Sequence, residues 1–193
     1  MNKGIYNSGY LPHWDFPRAL QVVTFRLADS VPASVIENWK KELEKITDDD
    51  ERHRQLHRNI AHYEDVGYGS AIFRDTRCAE IVKDELLRHA GSIYQLHAWC
   101  VMPNHVHVLT MLSENQALCD VVKQWKGATS IKLNRLLGQS GRLWQPDYYD
   151  RYVRDMDHFY NCRSYIRNNP VKAELCERPE DWQYSSAGME RGL

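Results

Sequence analysis

Hydrophobic and polar residues recur along the first half of the chain with two distinct periods. A run rich in β-branched residues, Gln21–Leu27, predicts a strand. Apolar residues at helical spacing predict three helices, at Pro32–Lys45, Asp48–Val66 and Thr76–His89. Two runs rich in Val and Leu follow and flank the turn-forming pair Pro103-Asn104, which predicts a β-hairpin with strands at Ser92–Met102 and His105–Leu112.

Helical spacing dominates the second half. The capping-box pattern formed by Ser113 and Gln116 predicts the start of a helix that ends at Gly138. A last helix, capped by Asp155 or Asp157, is expected to run from Met156 to Asn169 and to stop at Pro170. This order of elements predicts an α+β fold, with a small antiparallel sheet and helices on one side of it.

Length, charge and cysteine content narrow the class of protein. The 193 residues suit a single domain over 1–193, with a charged helical insert at 42–69 and a C-terminal tail at 170–193. The five cysteines form no Cys-x-x-Cys motif, which argues against a disulfide framework and a zinc knuckle. With no apolar run long enough for a membrane span and no apolar core of a secretion signal at the start of the chain, we expect a cytoplasmic protein without a membrane partner.

The charge is unevenly distributed. A net charge of −1 argues against indiscriminate binding of polyanions. Between Val121 and Arg154, however, seven basic residues stand against two acidic ones. Within this basic stretch the stripe of Lys123 and Lys126 is typical either of an ordinary exposed face or of phosphate contacts, and with Arg151 and Arg154 these lysines are the candidate DNA contacts. The aromatic segment 144–149 beside them is typical either of a platform for unpaired bases or of buried loop anchors.

The second hairpin strand carries a candidate metal site. Successive side chains of a strand point to opposite faces, so His105 and His107 share one face while Val106 and Val108 share the other. Two neutral imidazoles on a rigid strand can bind a divalent cation. A second spaced pair, His53 and His57, lies among arginines on a charged helix, and there we expect a solvated face.

The last predicted helix carries a candidate nucleophile. Its core-facing stripe is expected to comprise Met156, Phe159, Cys162 and Ile166. Tyr165 lies off that stripe, on a face shared with Asn161 and Asn169. The Asn169 amide offers a hard oxygen ligand for Mg²⁺ or Mn²⁺. A phenol is a weak nucleophile, but it becomes competent beside a metal that neutralises a scissile phosphate.

Four strings give the chain a resemblance to a known family. They are WCVMPNHVHVL at Trp99–Leu109, WQPDYYDRYVR at Trp144–Arg154, YIRNNPVKA at Tyr165–Ala173 and DWQYSS at Asp181–Ser186. In order and spacing the chain resembles the REP-associated tyrosine transposases, which belong to the HUH (His-hydrophobe-His) superfamily of single-strand transposases. The resemblance covers roughly residues 20–187.

The resemblance implies a fold and a role for each matching residue. It implies a ferredoxin-like (RRM-like) fold with the histidine pair on a central strand and the nucleophile on a C-terminal helix. His105 and His107 would bind the metal, Asn169 would be its third ligand, and Tyr165 would form a 5′-phosphotyrosine. The implied substrates are single-stranded DNA hairpins of repetitive extragenic palindromes, cut and rejoined without ATP. The charged insert departs from the most compact members of the family.

Two alternatives remain open at this stage. One is a metal-dependent phosphodiesterase that uses water in place of Tyr165; a histidine-triad hydrolase is disfavoured because Leu109 stands where a third alternating histidine would be. The other is a non-catalytic nucleic-acid-binding module. The oligomeric state is also open between monomer and homodimer, with the monomer preferred. It is likewise open whether Tyr165 acts with the histidine pair of its own chain or with that of a partner.

Overall fold

A four-stranded antiparallel sheet is the centre of the fold. The computed structural model describes residues 4–7, 12–16 and 18–190. The sheet has the order β4-β5-β3-β6, and a separate hairpin pairs β1 with β2. The strands are β1 (Gly4–Asn7), β2 (Pro12–Asp15), β3 (Leu20–Arg26), β4 (Tyr94–Val101), β5 (His105–Leu112) and β6 (Tyr149–Tyr152).

Six α-helices accompany the strands in the described part of the chain. They are α1 (Ala33–Leu43), α2 (Asp49–Asp65), α3 (Thr76–Arg88), α4 (Leu118–Leu137), α5 (Met156–Lys172) and α6 (Ser186–Glu190). Two short 3₁₀ helices lie at Ile72–Arg74 and Pro179–Asp181. Among the residues described, no helix is both long enough and apolar enough to cross a bilayer.

The strand order confirms the predicted ferredoxin-like α+β fold. Within the sheet, β3 and β5 are central, while β4 and β6 form the edges. The chain visits them as β3, α3, β4, β5, α4, β6, so each of two strand–helix–strand units contributes one central and one edge strand. The insertion α1–α2 comes between β3 and α3 and buries a small core of its own, formed by Val31, Leu43, Leu56 and Ile60.

Helices pack on both faces of the sheet, which corrects the expectation of helices on one side. The first face buries Val23 of β3 and Val106 and Val108 of β5 against α3 and α4, and we call it the apolar face. The second face buries Ala98, Cys100, Met102 and Leu109 against Ile166 of α5, and we call it the catalytic face because the candidate residues His105 and His107 alternate onto it with Leu109. Sheets can be covered on both sides when apolar residues occupy both alternation sets, as they do here.

Two predicted helix boundaries are wrong. The Ser113 hydroxyl donates to the carbonyl of Ser92 at 2.9 Å, so it does not cap a helix, and α4 begins at Leu118. Helix α5 continues through Pro170 to Lys172 because Ile166, Asn169 and Pro170 are all buried and this packing outweighs the local preference against helix before proline. The predicted caps Asp155 and Gly138 are both confirmed.

The fourth strand and the first hairpin were not predicted. The segment β6 lies where the sequence suggested only a loop and its continuation, and β1–β2 precede the first predicted strand. The stretch 170–190 is attached to β4, since the Trp182 indole donates to the carbonyl of Val101 at 3.0 Å and Tyr184 accepts from Val101 at 2.8 Å. The predicted limits at residues 1 and 193 lie outside the described residues.

Candidate active site

Strand β5 holds the histidine pair on the catalytic face. The register pairs His107 with Thr24 and His105 with Arg26 on β3, so β5 lies between two strands and cannot shift easily. The two Nε2 atoms are 2.9 Å apart, and both side chains are almost wholly buried. Val106 and Val108 face the apolar side, as predicted.

Neighbouring polar groups fix the orientation of both rings. His105 Nδ1 lies 2.7 Å from the Asn104 side-chain oxygen, which can only accept, so Nδ1–H donates and Nε2 keeps a lone pair. His107 Nδ1 lies 2.8 Å from the Thr24 hydroxyl. A hydroxyl can donate or accept, so Thr24 supports either tautomer of His107. When Thr24 accepts, both Nε2 lone pairs are available to a cation.

Both imidazoles are held neutral. Burial lowers the pKa of His107 to about 3, with the charges of His57 and Lys172 acting in the same direction. Burial also holds the pKa of His105 well below its ordinary value, helped by His107 and Arg26. Neutral imidazole is the form that ligates metal, so the pair is ready to bind a cation at neutral pH.

The spacing of the pair fits a divalent cation. Two adjacent ligands of an octahedral ion at roughly 2.1 Å are about 3.0 Å apart, which agrees with the 2.9 Å between the Nε2 atoms. Within the part of the chain described, no third His, Cys, Asp or Glu joins them as a metal-binding group. A complete site therefore needs an uncharged protein ligand, or ligands from substrate and water.

Helix α5 places Tyr165 beside this pair. Phe159, Cys162 and Ile166 pack on the catalytic face as predicted, whereas Met156 is 59% exposed and does not belong to the core. This packing directs Tyr165 toward the histidines, with ring centroids of Tyr165 and His107 5.6 Å apart. The side chain is 40% exposed, so its hydroxyl can be reached from outside.

The free enzyme keeps the Tyr165 phenol protonated. Burial raises its pKa, and the carboxylates of Asp65 and Glu64 raise it further. The Asn169 amide opposes this rise, although its atoms do not have the geometry of a hydrogen bond. A cation at the histidine pair and a phosphate at the hydroxyl would change this balance, because a nearby positive charge favours the phenolate.

Asn169 has the features of an unfilled ligand. It remains helical, so it stays on the face of Tyr165, one turn further along α5. The residue is fully buried, and neither its amide oxygen nor its nitrogen has a hydrogen-bond partner. An orphaned buried amide costs about 1–3 kcal/mol and calls for an explanation. A hard cation bound by the amide oxygen would supply one, so the residues present fit the expected metal.

A cavity of about 430 Å³ opens onto Tyr165 and His107. Helix α2, within the charged insert, forms one wall of it through His57, Ala61, His62 and Glu64. The sequence interpretation of His57 as part of a solvated face is wrong: its ring stacks on Tyr149 at 3.6 Å, and burial lowers its pKa to about 4. The many charged residues of α2 predicted a solvent-exposed face, because the sequence does not show which element α2 packs against.

Sequence reasoning also missed the supporting residues of the histidine pair. Thr24 and Asn104 orient the imidazoles, and Arg26 forms a buried ion pair with Glu64 at 3.1 Å. Only the turn position of Asn104, directly before His105, could have drawn attention to it. Thr24 is one of several β-branched residues in its strand, and nothing local marks it.

The four predicted DNA contacts fall at different places. Arg151, exposed on β6, lines the cavity of Tyr165, and Arg154 is exposed just beyond it. Lys123 lies on α4 at a separate basic groove. Lys126 lies there too, but its ammonium donates to the carbonyls of Gln145 and Pro146 at 2.5 and 2.8 Å, so it holds the aromatic loop. In that loop Trp144 and Tyr148 are buried anchors.

Comparisons with known proteins agree with this architecture. A family model described as IS200-like transposase matches residues 71–169, which is 99 of the 193 residues. The chain is 26% identical over 122 residues to a REP-associated tyrosine transposase of Escherichia coli strain K12, covering 56% of this chain and 68% of that protein. It is 29% identical over 103 residues to a candidate REP-associated tyrosine transposase of Haemophilus influenzae, covering 48% and 58%.

The fold is shared with a solved structure. A REP-associated tyrosine transposase bound to a REP hairpin superimposes with a TM-score of 0.61 at 16% identity, covering 97% of this chain and 88% of that chain. The family match spans the histidine pair, Tyr165 and Asn169, and thus the whole set of residues assembled above. The chain therefore belongs to the IS200-like transposase family, whose members are enzymes that act on DNA.

Proposed function

We propose that this protein cuts and rejoins single-stranded hairpin DNA by metal-dependent transesterification, with Tyr165 as the nucleophile. The observation that carries the proposal is the approach of Tyr165 to a buried pair of neutral imidazoles, 5.6 Å from the ring of its own His107. The hairpin substrate is supported by the hairpin-bound structural neighbour.

In the proposed reaction the Tyr165 oxygen attacks the scissile phosphorus as it loses its proton. The bond between phosphorus and the 3′ oxygen breaks, a proton reaches that oxygen, and the products are a 5′-phosphotyrosine and a free 3′ hydroxyl. His105, His107 and Asn169 would hold the Mg²⁺ or Mn²⁺ ion, which supplies Lewis-acid polarisation of the phosphate. Because the phosphotyrosine keeps the energy of the broken bond, a 3′ hydroxyl can reverse the step without ATP.

The water-dependent phosphodiesterase is the alternative to test. The protein is mixed with end-labelled hairpin oligonucleotides and Mn²⁺, and the products are separated on a denaturing gel. We expect a slowly migrating covalent adduct that EDTA abolishes and that Tyr165→Phe does not form. Tyr160→Phe is the matched control, because Tyr160 lies on the same helix and is 57% exposed. Cleavage without an adduct, retained by Tyr165→Phe, would favour water as the nucleophile. Hairpin binding that EDTA does not change, with no covalent product, would favour a binding module.

The proposed site acts within one chain. Because α5 packs on its own sheet, a mixture of Tyr165→Phe and His107→Ala proteins should form no adduct. Recovery of activity in that mixture would instead indicate that Tyr165 works on the histidine pair of a second copy, and the preference for a monomer would be wrong.

A further inference from the structure

A lysine outside the matched family region lies against the candidate nucleophile. Lys172, the last residue of α5, has its ammonium 5.7 Å from the centroid of the Tyr165 ring. Its side chain is 62% exposed and lines the cavity that contains His107. A long, exposed lysine would normally sample many rotamers, so its position beside Tyr165 needs a partner that holds it there.

Asp65 of α2 is that partner. Its carboxylate Oδ2 pairs with the Lys172 ammonium at 3.0 Å, and its side chain is only 10% exposed. The other oxygen, Oδ1, is buried and has no hydrogen-bond partner. A mostly buried carboxylate is a strong anchor for one cation. Asp65 is the last residue of α2, within the charged insert, so the insert contacts the C-terminal turn of α5.

The cavity has few cations available to an anion. Arg58, which lines the cavity, is paired with Glu51. Arg151 has no carboxylate partner in the described part of the chain. Lys172, whose side chain is exposed, pairs with Asp65. A phosphate that is attacked by Tyr165 must lie at the Tyr165 hydroxyl, within this cavity. The Lys172 ammonium has three N–H donors, so it can donate to such a phosphate while it keeps its contact with Asp65.

We propose that Lys172, presented beside Tyr165 by Asp65 of the insert, contacts the scissile phosphate and neutralises charge on its non-bridging oxygens. The inference rests on the proposed transesterification and assigns two residues beyond it. Lys172 is a catalytic residue in this scheme because it touches the reacting group. Asp65 is a positioning residue that acts through Lys172, and the insert is consequently part of the active site.

The test compares a charged with an uncharged scissile linkage. The cut position is first mapped with the wild-type adduct, and a hairpin is then made with a methylphosphonate at that linkage. On ordinary DNA, Lys172→Met should slow adduct formation by about 10- to 100-fold, whereas Lys172→Arg should restore most of the rate. On the methylphosphonate hairpin, Lys172→Met and the wild type should react at nearly equal rates, because the charge that Lys172 contacts is absent.

Controls separate charge recognition from folding. Lys83→Met removes an equal charge from α3, where Lys83 pairs with Glu80, and should leave both rates unchanged. Asp65→Asn should slow the reaction on ordinary DNA by about threefold to tenfold, and adding it to Lys172→Met should have no further effect. Affinity for both hairpins is also measured in the Tyr165→Phe background, with and without Lys172→Met, so that the comparison does not depend on turnover.

An equal loss on the two linkages, in rate and in affinity, would show that Lys172 is merely structural and would overturn the proposal. Additive losses for the two variants would overturn the role of Asp65. Failure of the proposed function itself looks different: the wild-type protein would then form no adduct on ordinary DNA.

Discussion

The two faces of the sheet treat buried polar groups in opposite ways. On the apolar face two buried indoles have partners: the Trp125 indole donates to the Tyr94 hydroxyl at 2.9 Å, and the Trp144 indole donates to the Thr129 hydroxyl at 3.0 Å. On the catalytic side the Asn169 amide and one oxygen of Asp65 have none. Unsatisfied atoms of this kind are candidates for a contact that a ligand, rather than the chain, supplies.

The difference indicates a division of labour between the faces. Dense packing of Val23, Phe25 and Trp125 stabilises the domain without regard to substrate. The catalytic face buries two neutral imidazoles and an amide that has no hydrogen-bond partner, which lowers stability, and the proposed metal site would make use of all three. Substitutions on the apolar face should therefore reduce mainly stability, whereas substitutions on the catalytic face should reduce mainly activity.

The largest expected effect is on the apolar face. Trp125→Ala removes a fully buried indole and its hydrogen bond to Tyr94, so the free energy of unfolding should fall by about 3–5 kcal/mol. Denaturant unfolding followed by circular dichroism measures the change. Ile131→Ala, on the same helix and 68% exposed, is the control and should stay within about 0.5 kcal/mol of the wild type. A similar loss for both would show that the apolar face is not the main source of stability.

His13 and His107 should make the stability of the protein depend on pH in opposite directions. Burial by itself would lower the pKa of His13, but its bonds to Asp147 and Asp150 outweigh burial and raise it to about 9. The contacts of protonated His13 with Asp147 and Asp150 contribute fully to the free energy of unfolding below about pH 6.5, and this contribution is lost as the pH rises from about 6.5 to about 9. His107, whose pKa is lowered to about 3, destabilises the metal-free protein as the pH falls from about 6.5 toward 3.

Unfolding measured from pH 4 to 9 without metal should thus trace a dome. His13→Gln should flatten its alkaline side and His107→Gln its acidic side, each by on the order of 1–3 kcal/mol. If one substitution flattened both sides, the assignment of the two limbs to two separate histidines would be wrong.

A smaller effect of opposite sign is expected at Asn169. Asn169→Leu replaces two unsatisfied buried atoms by methyl groups in the same branched arrangement, so the free energy of unfolding should rise by about 1–2 kcal/mol while Mn²⁺ binding weakens. Isothermal titration with Mn²⁺ and thermal unfolding report the two quantities. Loss of stability together with unchanged Mn²⁺ affinity would mean that the amide has a structural partner in solution rather than a metal.

The smallest effects concern two neighbouring lysines of α4. Lys126→Met should lower the free energy of unfolding by about 1 kcal/mol, because its ammonium bonds to loop carbonyls. Lys123→Met should leave stability unchanged and should reduce the salt dependence of hairpin binding by about one ion. Fluorescence anisotropy at several salt concentrations tests this, and an unchanged slope would remove Lys123 from the DNA contacts.

Local pattern was sufficient to group the candidate residues within each element of the site. Alternation along β5 placed His105 and His107 on one face, and helical spacing placed Tyr165 and Asn169 together on α5, because both relations depend only on the geometry of a single element. The hairpin turn at Pro103-Asn104 and the helix end at Gly138 were equally local. These features follow from backbone geometry and need no knowledge of the rest of the chain.

Tertiary structure alone decided what surrounds those residues. The sequence did not indicate that α2 would bring His57, Glu64 and Asp65 to the cavity, because a charged helix looks the same in solution and against a polar site. Helix α5 continues through Pro170 because Ile166 and Asn169 are packed in the interior. Tyr149–Tyr152 forms a strand because it pairs with β3. Each of these outcomes depends on contacts between residues distant in sequence, whose free energy exceeds the local preferences that a pattern records.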